Sequence, residues 1–193
     1  MAAQDVFMRP GKGKRRDKMG DKNRILIFTG EGKGKTTSAL GMALRAHGHG
    51  IPVAVIQFVK ADTETGEYAA LKKMKDVELI MTGLGFVPRP TDPRFADHIE
   101  AAKQGLQQAA AYLQSGRFGL VILDEICVAV SLNLLSEEVV LAALRQAAAG
   151  VTIVMTGRGA SPGLMGIADT VSEIKAIKHG FDTGIKAQRG VEF

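Results

Sequence analysis

The feature that most constrains this chain is the run Thr29-Gly30-Glu31-Gly32-Lys33-Gly34-Lys35-Thr36-Thr37. Before it, Ile25-Leu26-Ile27-Phe28 reads as a buried strand. After it, the Ala-, Leu- and Met-rich segment Thr36–His47 reads as a helix. A strand joined to a helix by a short glycine loop folds the helix back over a sheet, which favours α/β layering. Glycines also let successive backbone N–H groups turn toward an anion, and the helix N-terminus adds its positive end. In such a loop Lys35 would reach the outer phosphates of a nucleotide and the Thr36 hydroxyl would meet magnesium. The usual spacing is G-x-x-x-x-G-K-[ST]. Here Thr29 takes the first glycine position, leaving a variant with glycines at 30, 32 and 34. The alternative is a glycine-rich turn with an accidental Gly-Lys-Thr.

The rest of the pattern repeats the alternation. Strands are expected at Ile25–Thr29, Val53–Phe58, Val77–Met81, Leu120–Asp124, Val151–Thr156 and Val171–Ile177. Helices are expected at Thr36–His47, Phe95–Ser115 and Ser136–Ala149, the last with Ser136 as cap and Glu137 and Glu138 in its first turn. Gly83–Pro93, with three prolines and two glycines, reads as a loop. The expected class is therefore α/β, a mostly parallel doubly wound sheet with helices on both faces.

Two strand ends add chemistry. Leu120-Val121-Ile122-Leu123-Asp124-Glu125 is an apolar strand closing on two carboxylates, the hard oxygen ligands that magnesium or manganese prefers. Such a strand is expected beside the loop strand, with Asp124 or Glu125 on the metal; the bland alternative is solvated charge. Val151-Thr152-Ile153-Val154-Met155-Thr156-Gly157-Arg158-Gly159 sets an arginine between glycines at another strand end, where the guanidinium matches phosphate geometry. Its alternative is an exposed loop arginine.

Composition narrows the rest. At 193 residues and 46% hydrophobic, the chain has room for one packed domain. No apolar run approaches the ~18 residues of a membrane span, and no apolar region follows the basic N-terminus as in a secretory signal. The lone Cys127 excludes an internal disulfide and reads as a small buried hydrophobe. These features point to a soluble, cytoplasmic protein with no membrane partner. The net charge of +5 sits in residues 1–24, which hold eight basic and three acidic side chains. That leaves 17 of the 25 basic and 17 of the 20 acidic residues in the rest, so no basic face for nucleic acid is expected. The expected organisation is a basic, flexible tail over 1–24 and one α/β domain over 25–193. His47 and His49 read as cations at a helix end, and His98 has no partner at ligand spacing for zinc.

The chain resembles the ATP:corrinoid adenosyltransferases of the CobA/CobO/BtuR type. The matching stretches are Phe28 to Thr37, Val55-Ile56-Gln57-Phe58-Val59-Lys60, Val121 to Glu125, Thr156-Gly157-Arg158-Gly159, and the C-terminal run from Ala168 through Lys178-His179-Gly180-Phe181-Asp182 to Gly190. The variant loop and the C-terminal run are its specific parts. The resemblance implies a RecA-like P-loop fold, a homodimer, and transfer of the 5′-deoxyadenosyl group of ATP to a Co(I) corrinoid with release of triphosphate. It assigns ATP to Thr29, Gly30, Glu31, Gly32, Lys33, Gly34, Lys35, Thr36, Thr37 and Arg158, with Lys35 and Arg158 catalytic. Thr36, Asp124 and Glu125 would hold the metal, Phe86 would meet the corrinoid, and a flavin-type protein could reduce the cobalt. One departure stands out. The family pattern Gly-Phe-x-Trp is here Gly85-Phe86-Val87-Pro88, in a chain without tryptophan. A different corrinoid pose, a preference for corrinoids lacking the lower base, or weaker cobalt reduction are the open consequences, and Phe86 packing under its loop is the bland one. The competing readings are an ordinary ATPase or kinase, which would yield ADP, and a non-catalytic corrinoid or nucleotide binder.

Overall fold

The computed structural model describes residues 22–193. Most of the expected tail lies outside the described residues, and the first strand already begins at Arg24, which pairs with Thr152. Six strands, β1 (Arg24–Thr29), β2 (Val53–Gln57), β3 (Val77–Met81), β4 (Leu120–Asp124), β5 (Thr152–Thr156) and β6 (Thr170–Glu173), form one sheet in the order β3-β2-β4-β5-β1-β6. Every neighbouring pair is parallel. The helices are α1 (Lys35–Gly48), α2 (Gly66–Leu71), α3 (Phe95–Gln114), α4 (Ile126–Ser131), α5 (Glu137–Arg145) and α6 (Pro162–Ile167), followed by a 3-10 turn at Gly180–Thr183.

The apolar runs are continuous because both sheet faces are covered. Along β2, Val53 and Val55 pack with Ala39 and Ala43 of α1, while Ala54 and Ile56 pack with Ala102 and Ala109 of α3. β4 alternates the same way, Leu120 and Ile122 toward α1, Val121 and Leu123 toward α3. α4, α5 and α6 join the α3 side through Ile126, Val140 and Leu164. This is the expected doubly wound architecture, and the parallel sheet puts every strand's carboxyl end on one edge.

Several boundaries move. α5 stops at Arg145, short of Ala149, because Ala148 N–H leaves the helix to donate to Leu113 O of α3 at 2.8 Å. Ser136 holds the N-cap position without a side-chain cap bond. β6 ends at Glu173, short of Ile177. Its partner β1 gives way to the glycine loop there, and Ile174 bonds that loop instead, accepting Gly32 N–H at 2.6 Å. The larger correction is lateral: the acidic strand β4 is not beside the loop strand β1. β5 lies between them.

Candidate functional site

At the carboxyl edge of the sheet, a cavity of about 880 Å³ opens above the glycine loop. Gly34 takes φ +111, a left-handed conformation suited to glycine, and launches α1. Glu31 through Thr37 line the cavity, facing Lys60, Glu67, Glu125, Arg158 and the C-terminal residues. Thr29 and Gly30 stand behind this wall. The Thr29 hydroxyl accepts Ala160 N–H at 3.3 Å, and a Cβ on Gly30 would come within 2.6 Å of Ile174 O.

Lys35 is buried beneath the loop, its Nζ donating to Gly30 O at 2.7 Å and Gly32 O at 2.8 Å. Burial lowers its pKa, with Glu125 opposing, Arg158 adding and Glu31 opposing. At the first turn of α1, Thr36 Oγ1 donates to Asp124 Oδ1 at 2.8 Å.

The two carboxylates at the end of β4 part company. Asp124 is fully buried, and its oxygens also take Thr156 Oγ1 at 2.7 Å and Gln57 Nε2 at 3.0 Å, with Lys60 Nζ at 3.4 Å. Glu125 turns out of the strand with φ +63 and lines the cavity. Burial, then the charge of Asp124, pushes its pKa up, against Lys35, Lys60 and Arg158. The interposed β5 explains the arrangement. Its last residue, Thr156, donates to Asp124 and accepts Glu125 N–H at 2.9 Å with the same hydroxyl.

Arg158 lies at the cavity mouth, exposed, with Nε 3.2 Å from Glu31 Oε2. Lys33 turns away from the loop toward the C-terminus. Phe86 is 92% exposed, so it does not pack under its loop. It lines a separate cavity of about 420 Å³ with Leu84, Pro88, Arg94, Asp97 and His98. That loop hangs on the exit of β2 through Gly85 N–H to Val59 O at 2.8 Å. Cys127 is a buried residue of the core.

Nothing in the spacing of Gln57, Lys60, Thr156 or the last residues of the chain gives them a role at this site. Gln57 and Lys60 lay in a stretch already noted as family-like. The available signal was a lone polar side chain ending the otherwise apolar run Val53-Ala54-Val55-Ile56-Gln57.

Fold and site together define an α/β protein of the RecA-like phosphate-loop fold. The chain belongs to the family of ATP:corrinoid adenosyltransferases BtuR/CobO/CobP, whose model matches residues 21–193. A corrinoid adenosyltransferase of Pseudomonas aeruginosa is 43% identical over 170 residues, covering 88% of this chain and 83% of the relative. The Salmonella typhimurium corrinoid adenosyltransferase CobA is 40% identical over 169 residues, covering 88% and 85%. The corrinoid adenosyltransferase of Escherichia coli K12 gives the same figures, 40% identity with 88% and 85% covered. No helix among the described residues is long and apolar enough to cross a membrane.

Proposed function

We propose that this chain transfers the 5′-deoxyadenosyl group of ATP to the Co(I) of a corrinoid, releasing triphosphate, in the making or salvage of adenosylcobalamin. The observation that carries this reading, beside the family, is the convergence of the glycine loop, Thr36 and Glu125 on one cavity, with Asp124 buried behind Thr36. The electron pair on Co(I) attacks the ribose 5′-carbon, the C5′–O bond breaks, and the triphosphate oxygen takes the bonding electrons. No general base is required, because the nucleophile carries no proton. What catalysis needs is positive charge fixed where the leaving group becomes more negative.

Lys35 and the N–H groups from Lys33 to Thr36 supply that charge, with Arg158 exchanging Glu31 for a phosphate oxygen. The donors at the edge are oxygens, which suit a hard divalent cation. Thr36 and Glu125 would hold magnesium or manganese, while Asp124, its oxygens engaged by four donors, orients Thr36. Bound there, the cation adds charge stabilisation for the triphosphate. Phe86, exposed on the neighbouring loop, is the aromatic offered to the corrinoid. The homodimer, a flavin-type reductant protein and a cytoplasmic location belong to the same reading.

The test is anaerobic. The protein is mixed with magnesium-ATP and chemically reduced cob(I)alamin or, in parallel, cob(I)inamide. Light-sensitive adenosylcorrinoid with triphosphate is expected, and the ratio of the two rates measures what Pro88 in place of tryptophan does. ADP as product, or bound ATP without a Co–C bond, refutes the proposal. Lys35→Ala is expected to abolish transfer with an unchanged circular dichroism spectrum.

A further inference from the structure

The two lysines of the glycine loop serve different neighbours. Lys35 Nζ donates inward to the loop's own carbonyls. Lys33 Nζ donates to Val191 O at 2.8 Å and sits 3.0 Å from Glu192 Oε1. The other oxygen of Glu192 accepts Gln188 N–H at 2.7 Å. That bond, with Lys33 adding, holds the Glu192 carboxyl below its ordinary range. Gly190, at φ +80, lets the chain reverse so that its N–H reaches Phe193 O at 2.6 Å. Residues 188–193 are thus a turn closed on itself and pinned to the loop.

A second contact lies upstream, where Gly32 N–H donates to Ile174 O. A Cβ at Gly30 or Gly32 would meet that oxygen at 2.6 or 2.7 Å. The shortened glycine pattern therefore admits the C-terminal backbone as well as an anion. Between these two contacts, His179 and Gly190 through Phe193 form one wall of the phosphate-loop cavity.

We infer that Lys33 and Glu192 form a latch that holds the C-terminal turn as a wall of the nucleotide site, making both positioning residues and neither a phosphate ligand. The inference rests on the reading that this cavity takes ATP. Its physical mark is one of sign. A carboxylate 3.0 Å from a loop lysine repels an incoming triphosphate and neutralises a cation. If that were its whole effect, removing the charge would tighten ATP. If the carboxylate holds the wall, removing it loosens the turn and weakens ATP.

The experiment uses the full chain with Glu192→Gln, Lys33→Met, the double variant and Lys33→Arg. Amide hydrogen exchange of the C-terminal peptide is followed without nucleotide, and magnesium-ATP affinity is measured by calorimetry. Each single neutral variant is expected to speed exchange over residues 188–193 and to weaken ATP about three- to tenfold. The double variant is expected to match the singles, because one contact is lost only once. Lys33→Arg keeps a cation and donors at the same place and is expected to bind as the wild type does. Tighter ATP in Glu192→Gln, additive losses, or unchanged exchange overturns the latch. A wild-type chain that binds no ATP refutes the nucleotide reading itself, whereas ATP binding indifferent to the variants refutes only the latch.

Discussion

Asp124→Asn tests the polar cluster on which the site is built. The wild-type carboxylate is fully buried and receives Thr36 at 2.8 Å, Thr156 at 2.7 Å and Gln57 at 3.0 Å, with Lys60 at 3.4 Å. Asparagine keeps one acceptor oxygen, which still serves the two threonine hydroxyls. Its amide N–H groups then face Gln57 Nε2 and Lys60 Nζ, which are donors too. Gln57 can rotate its amide and present oxygen. Lys60 keeps Glu67 at 3.4 Å and some solvent, so its loss is partial. What disappears is about one charge-assisted hydrogen bond and part of an ion pair, about 2–4 kcal/mol in a buried setting. At about 2–4 °C per kcal/mol for a chain of this size, Tm should fall by about 5–15 °C. The measurement is thermal and urea unfolding by circular dichroism, in buffer free of nucleotide and divalent cation. The opposite outcome has a clear meaning. If Asp124 were held against a cost for a cation's sake, the amide would stabilise the chain. A variant equal to or more stable than wild type refutes the cluster as a stabilising network.

Other positions give independent checks. Gly105 lies inside α3, where glycine to alanine ordinarily gains about 0.5–1 kcal/mol. Here the new Cβ would sit 2.5 Å from Thr82 Oγ1 and 3.1 Å from the Phe58 ring, so Gly105→Ala should instead cost about 1–3 kcal/mol in urea unfolding. A stabilised variant refutes that packing. The Asp169 carboxyl accepts Ile25 N–H at 2.9 Å, and that bond, with Lys22 and Arg24 nearby, depresses its pKa. Its contribution is present above the ordinary carboxylate pKa and lost as pH falls through the depressed value, so Asp169→Asn should be less stable at neutral pH and converge with wild type in acid. A gap that persists at the acid end contradicts this. The Cys127 thiol, fully buried, is pushed up to about 12 by burial first and then by Glu125. A thiol reagent at pH 8 should leave it untouched until urea is added, and rapid labelling of the folded chain would show the core is open there.

The central strands β2, β4 and β5 were legible because each is covered on both faces, which writes an apolar run into the sequence, whereas the edge strand β6, Thr-Val-Ser-Glu, is mostly exposed and its end was misplaced. α1, α3 and α5 were legible because each is long enough to show a helical period. α2, α4 and α6 are six residues each, under two turns, and leave no periodic trace. Strand order was not legible. Chain order says which strand follows which, and nothing in the residues of β4 says that β5 separates it from β1. At the site, Lys35, Thr36, Asp124 and Glu125 were legible because strand–loop–helix context limits what such residues can face. The turn of Lys33 toward Glu192 was not, since that contact closes over most of the chain's length and depends on how β6 exits the sheet.

The parting of Asp124 and Glu125 shows what a sequence of adjacent like residues hides. Successive strand residues point to opposite faces, so two carboxylates ending β4 would have one on the α1 side and one on the α3 side. The chain avoids this by leaving the strand between them. Glu125 takes the left-handed region, at a cost of roughly 1–2 kcal/mol for a residue with a Cβ, and its carboxylate swings to the cavity. Thr156 makes that conformation hold, because the hydroxyl that bonds Asp124 also receives the Glu125 N–H. The insertion of β5 between β4 and β1 is what places Thr156 there. The lateral order of the sheet, which no local pattern encodes, thus decides which carboxylate is buried as structural support and which one lines the cavity above the glycine loop.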